Sequence, residues 1–158
     1  MADPFLKLIE EAIYLEWNIG KLYTLFHSMF PEDAEFWWLL ALEEKNHAAL
    51  IRSGLEYFTT GNYFPASLVD MNMEGLKVAN QKVLSWLREF EENPPTRKAA
   101  FEIGLEIENF AGELHFQNYV ESQGSSRIDL IFKELNRHDK DHAKRIRLYM
   151  DKVGYDCI

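Results

Sequence analysis

The chain has 158 residues, 47% of them hydrophobic and 27% charged, and its 17 Lys+Arg against 26 Asp+Glu leave a net charge of −9. That length suits a single domain over residues 1–158, since two independent cores would each be small, and the composition excludes a disordered chain. The acidity argues against duplex nucleic acid and against an anionic membrane surface as partners, because both reward clustered cations.

The one cysteine, Cys157, excludes an intrachain disulfide and a CxxC metal knuckle. Met1-Ala2-Asp3-Pro4 lacks the basic and apolar blocks of a secretory signal. The longest unbroken apolar run, Phe36 to Leu42, falls far short of a membrane span. A cytoplasmic protein is expected.

Asp3-Pro4 reads as an N-cap with proline at the first helical position, opening a helix to about Met29. Pro31 stops it, and a second helix is expected from about Glu32 to Phe58, ending in Thr59-Thr60-Gly61-Asn62. Tyr63 to Met73 reads as irregular. A shorter amphipathic helix follows, with Leu76, Ala79, Val83, Leu87 and Phe90 on one face. Asn93-Pro94-Pro95 ends it, Thr96 caps a helix to about Glu121, and Gly124-Ser125-Ser126 leads into the last, Arg127 to about Val153. No segment reads as a strand. The expected fold is all-α: two antiparallel helix hairpins, joined by a long crossover that contains a shorter helix. Other crossover geometries stay open at this point.

The two halves repeat one another. Leu15-Glu16-Trp17-Asn18-Ile19-Gly20-Lys21-Leu22 aligns with Ile107-Glu108-Asn109-Phe110-Ala111-Gly112-Glu113-Leu114 at an offset of 92 (108 − 16). Glu44-Lys45-Asn46-His47-Ala48 aligns with Asp139-Lys140-Asp141-His142-Ala143 at an offset of 95 (139 − 44). Each half thus carries an acid on its first helix and an acid-x-x-His on its second.

At about 100° per residue the acids fall inside apolar stripes. Glu16 lies among Ile9, Ala12, Ile13, Ile19, Gly20 and Tyr23, with Lys7, Glu11, Asn18 and Lys21 on the far side. Glu44 and His47 share a face with Trp37, Leu40, Ala41, Ala48, Ile51 and Leu55. Glu108 lies with Phe101, Gly104, Leu105, Ala111 and Gly112, and Asp139 with Phe132, Leu135, Ala143, Ile146, Met150 and His142. Four carboxylates on core faces without a lysine or arginine would shift their pKa values or recruit a counter-charge. Two divalent cations neutralise them and leave two neutral imidazoles as nitrogen ligands. An acid and a histidine three apart project from one helix face. Mixed carboxylate and imidazole donors suit iron or manganese.

On these residues the chain resembles the ferritin-like di-iron superfamily, and within it the rubrerythrin-related proteins that lack a rubredoxin domain. The resemblance covers nearly the whole chain and is most specific at Leu42-Glu43-Glu44-Lys45-Asn46-His47-Ala48 and the Glu16 stripe. It implies a ferritin-like four-helix bundle holding two iron ions, with manganese as the alternative metal. It implies Glu16 and Glu108 as terminal ligands, Glu44 and Asp139 as bridging ligands, and His47 and His142 each on one metal. The family pattern has Glu where Asp139 stands; the shorter side chain points to a weaker metal on the Asp139–His142 helix. The implied activity is that of an oxidoreductase acting on hydrogen peroxide or dioxygen, with ferroxidase oxidation of iron(II) as the next form. A peroxidase without a rubredoxin domain needs an external electron donor. The alternative from another class is an iron-binding or interaction module with little turnover, and a homodimer is left open.

The remaining polar groups take structural readings. Tyr23, His115 and Tyr119 read as satisfied core groups, His27 as a group that caps or packs near the helix end, and His138 as flanking Asp139, with metal ligation as its lesser reading. Trp37-Trp38 reads as core and interface mass, and Arg137 to Arg147 as a solvated face.

Overall fold

The computed structural model describes residues 4–61, 73–120 and 127–156, with side chains at 6–56, 73–110, 130, 134, 137–138 and 140–156. Those residues form five long helices: α1 (Pro4–Met29), α2 (Ala34–Gly61), α3 (Met73–Glu92), α4 (Arg97–Val120) and α5 (Arg127–Lys152). The fold is all-α, with no strand among the described residues. None of these helices is long and apolar enough to cross a membrane. The expected irregular stretch from Tyr63 and the Gly124-Ser125-Ser126 connection lie outside the described residues, as does the Asp3 cap.

The helix ends follow local chemistry. Pro31 has no N–H to continue α1, and Pro31–Asp33 forms one 3-10 turn, closed by the Asp33 N–H donating to the Phe30 carbonyl at 2.9 Å. α2 therefore begins at Ala34, two residues later than the proline alone suggests. Thr96 caps α4 as expected, its Oγ1 accepting from the Ala99 N–H at 3.1 Å. Beyond α5, Gly154 adopts φ +88°, and the Tyr155 N–H reaches back to the Met150 carbonyl at 2.9 Å. This is the Schellman closure that a residue without Cβ permits.

Contacts give the helix directions. Gly20 of α1 packs on Ala41 and Glu44 of α2, while Phe26 meets Trp37, so these helices are antiparallel. Phe101 against Tyr149 and Gly104 against Ile146 make α4 and α5 antiparallel too. Phe36 stacks on Tyr149 with ring centroids 4.1 Å apart, and Glu43 meets Arg145, setting α2 against α5. α3 runs alongside α1 in the same direction, Asn18 pairing with Asn80 and Phe26 with Phe90. Two hairpins thus face each other, and α3 carries the chain back along the first.

This return overturns one expectation. Asn18, set on the solvent side of α1 with Lys7 and Lys21, is fully buried: its amide donates to Asn80 Oδ1 at 3.2 Å, under α3. Leu8, Leu15 and Leu22, seven apart, are buried as well. α1 has two apolar faces, one toward the hairpins' interior and one toward α3.

The core end of the bundle is aromatic. Trp37 is fully buried, with Tyr23, Phe26 and Phe101 at ring-centroid distances of 5.0–5.4 Å. Gly104 makes room for it, since a Cβ there would lie 3.3 Å from the Trp37 Cη2 and 3.2 Å from Ile146 Cδ1. Trp38 is 45% exposed beside the His27 ring. Only the first residue of the tryptophan pair is core mass.

At the same end Asp33, almost completely buried, is gripped from the other hairpin. Arg97 Nε and Nη2 donate to its two oxygens at 2.7 and 2.6 Å, and Tyr149 Oη donates to Oδ1 at 3.0 Å. The pairing is bidentate, the strongest geometry for an arginine and a carboxylate.

Candidate metal centre

Glu16 of α1, Glu44 and His47 of α2, Glu108 of α4 and His142 of α5 are each at most 4% exposed. The apolar stripes bring them together: each helix turns its buried face inward, and the polar residue within the stripe is carried to the centre. They make two groups, Glu16–Glu44–His47 and Glu44–Glu108–His142, in each of which one donor atom per residue lies within 4.8 Å of the others. Glu44 belongs to both.

The two imidazoles face the carboxylates through the same nitrogen. His47 Nδ1 is 3.3 Å from Glu16 Oε2 and 3.3 Å from Glu44 Oε2. His142 Nδ1 is 2.8 Å from Glu44 Oε1 and 3.4 Å from Glu108 Oε2. One Glu44 oxygen therefore turns to each imidazole. The rings lie nearly parallel, 5.4 Å apart. Glu44 Oε1 and His142 Nδ1, although close, are out of line for a hydrogen bond, and both are buried without such a partner among the described residues. Converging buried lone pairs of this kind fit a bound cation better than they fit each other.

Charge is held here against the cost of burial. Burial pulls the His47 imidazole down, but Glu44 and Glu16 overcome it and push its pKa up to about 11. Burial likewise opposes charge on His142, and Glu108 and Glu44 raise it above the ordinary histidine range. For Glu44, burial and the Glu108 charge push upward, yet the two imidazoles bring it down to about 2. The charged imidazolium form is thereby favoured on both His47 and His142. A metal must displace those protons.

Three residues hold these groups from outside. His142 Nε2 donates to Glu43 Oε2 at 2.6 Å, and the same oxygen accepts from Arg145 Nη1 at 2.6 Å. Burial raises the Glu43 pKa, but His142 and Arg145 outweigh it and hold the carboxylate at about 2. His47 Nε2 lies 3.1 Å from His138 Nδ1, and His138 in turn is near the exposed Glu134. Tyr23 Oη donates to Glu108 Oε1 at 2.5 Å.

Five of the six residues singled out from the sequence converge: Glu16, Glu44, His47, Glu108 and His142. The side chain of Asp139 lies outside the described residues, as do those of His115 and Tyr119. Sequence reasoning gave Glu43 no role beyond its place in the motif, set Arg145 on a solvated face, and read His138 chiefly as a flank of Asp139. Tyr23 is indeed a satisfied core group, but the acceptor that satisfies it is Glu108. His27 donates from Nδ1 to the Ala34 carbonyl at 2.8 Å, tying the end of α1 to the start of α2 across the turn rather than capping its own helix. No protein-family model matches the chain, and no curated protein or solved structure matches it at a significant level.

Proposed function

We propose that the chain is a ferritin-like di-metal protein of rubrerythrin type, an oxidoreductase that uses two iron ions to react with hydrogen peroxide or dioxygen. The observation that carries the reading is Glu44: a buried carboxylate with one oxygen turned to each of two imidazoles, at the centre of two donor groups. The two-hairpin plan with a long return along α1 supports the ferritin-like assignment, since it gives four helices that each place a donor in the interior.

Glu16 and Glu108 serve as the outer ligands, Glu44 as the shared one, and His47 and His142 as the nitrogen donors. The count of charge favours a pair of dications. Glu16, Glu44 and Glu108 supply −3 against +4, and Asp139, which the repeat places on the same face, brings the sum to zero. Two ferrous ions held by these residues would supply one electron each, the two electrons that together with two protons reduce hydrogen peroxide to two waters or dioxygen to hydrogen peroxide. Tyr23 engages one oxygen of Glu108 and leaves the other for the site. The aromatic wall of Tyr23, Trp37 and Phe101 excludes bulk water from that side. With one cysteine these 158 residues offer no four-thiolate iron site, so the electrons for repeated peroxide reduction would come from outside them.

Anaerobic purification, elemental analysis and addition of hydrogen peroxide to the ferrous protein test this. About two irons per chain, oxidised by stoichiometric peroxide with growth of a ferric absorption band, are expected. Iron bound but inert to peroxide and dioxygen would reduce the protein to a binding module. A chain that takes up no divalent metal would end the proposal.

A further inference from the structure

We propose that the outer face of the α1–α2 hairpin joins two copies of this chain about a two-fold axis, with Trp38 of each copy seated over Ala49 of the other and Glu35 paired with the other's Arg52. None of these residues is a proposed metal ligand, so the interface stands apart from whatever the interior holds.

Exposed apolar surface is concentrated on this hairpin. Among the described residues nine large apolar side chains stand exposed, and six of them, Tyr14, Trp17, Trp38, Leu39, Leu42 and Leu50, belong to α1 and α2. A groove of about 690 Å³ runs between the two helices, with Tyr14 and Trp17 on one bank, Lys45 and Arg52 on the other, and the small Ala48 and Ala49 opening it. Single exposed apolar residues are ordinary, whereas a cluster marks an interaction surface. From Ala34 to Glu56 the face is about 34 Å long and, at two helix diameters, about 20 Å wide. Its area, on the order of 700 Å², is close to the about 800 Å² per partner of a stable complex.

Charge selects a second copy as the occupant. The chain carries −9, so two copies repel over most of their surface. On this face Lys21, Lys45 and Arg52 stand against Glu10, Glu35 and Glu56, and the excess of acid is absent. Lys21, Glu35, Lys45 and Arg52 make no ion pair with any described residue, which leaves them to a partner.

The order of these residues is self-complementary. Glu35 and Arg52 lie equally far on either side of the Glu43–Glu44 bond, and so do Trp38 and Ala49. All four are exposed, and at 100° per residue they fall within about 100° of arc on α2. A two-fold axis across α2 at that point sets two α2 helices antiparallel and makes every contact twice, as an isologous interface requires. Each acid then meets the other copy's guanidinium, and each indole covers the other copy's Ala49, where the groove has room for it. Trp38 already leans toward α1, the side of the groove, its ring 5.5 Å from that of His27. On α1 the same axis falls near Gly20, which packs against Ala41 and Glu44. It brings Lys21 within a turn of the partner's Trp17, a cation–π pair.

Sedimentation equilibrium of the whole chain over a range of concentrations tests this, with circular dichroism as the check on folding. The parent should be a dimer that dissociates on dilution. Glu35→Arg or Arg52→Glu alone opposes like charges twice per dimer and should weaken association about tenfold or more. The two together restore opposite charges and should recover it. Ala49→Trp closes the groove to the partner's indole and should leave a monomer. These positions are exposed on α2, so helicity should be unchanged. A parent that is monomeric at every concentration overturns the inference, and so does a dimer indifferent to both single reversals. A double variant as weak as the singles overturns it too, because the pairing of Glu35 with Arg52 would then be wrong.

Discussion

The molecule buries carboxylates in two places and treats them oppositely. At the aromatic end Asp33 is met by an arginine fork and a tyrosine hydroxyl, all supplied by the chain. In the middle Glu16, Glu44 and Glu108 meet His47 and His142, three acids beside two imidazoles among the described residues. The first arrangement is complete in the polypeptide. The second relies on imidazoles, whose positive charge comes and goes with a proton. A buried carboxylate by itself says little about function; what separates a structural one from a candidate ligand is whether its counter-charge is permanent.

The comparison can be broken most strongly at Asp33. Arg97→Met should cost about 3–5 kcal/mol of stability, because it strands a carboxylate that has no access to water. Metal uptake should be unchanged. Urea unfolding combined with zinc titration reads both, and loss of metal binding along with stability would show that the two regions are not separate.

Next in size is the effect of metal. Zinc at about a hundred times its dissociation constant should stabilise the parent by about 2.7 kcal/mol, a Tm rise on the order of 5–10 °C. Glu44→Gln should abolish that rise, since the shared ligand is lost from both groups. An equal rise in the variant would mean that Glu44 is not central.

The protons themselves give a third test, on the metal-free protein. His47 has its pKa raised from 6.5 to about 11, so its contribution is complete below about 6.5 and fades as pH climbs toward 11. Glu44 is lowered from 4.5 to about 2, so its contribution is present above about 4.5 and is lost as pH falls toward 2. Stability without metal should therefore peak between about 4.5 and 6.5. The zinc-dependent increment should instead grow with pH, as protons stop competing. Denaturant midpoints across pH, with chelator and with zinc, would expose the crossing; parallel curves would refute it.

The smallest effect belongs beside the arginine. Thr96→Ala removes the α4 cap next to Arg97 and should cost about 1 kcal/mol, with no change in metal stoichiometry. Chemical denaturation is sensitive enough to read it.

How much of this was legible in the sequence depended on how far each interaction reached. Glu16, Glu44 and Glu108 stood out because a helical stripe is a local property, and an acid inside one is visible without any partner. His47 and His142 followed from the three-residue spacing. Asn18 was misplaced because the wheel of α1 shows one strong face, whereas the second is created by α3, whose path crosses a stretch with no periodic signal. Glu43 drew no role of its own because its partners, His142 and Arg145, sit about a hundred residues away on α5. Tyr23 was recognised as a core hydroxyl, but its acceptor lies on α4. The chain announces what it buries more readily than what it places behind the buried group.

The grip on Asp33 also sets the way the two hairpins can move. It joins the turn between α1 and α2 to the first residue of α4 and to α5, and none of its members is a candidate ligand. It keeps its hold whatever occupies the site, so the hairpins cannot slide apart at that end. If the proposed metal is bound and then lost, this pairing would confine the loosening to an angular one, with the aromatic end as the pivot. Metal would then act as a latch partway along a hinge, and entry of an ion would need a small rotation rather than the separation of two halves.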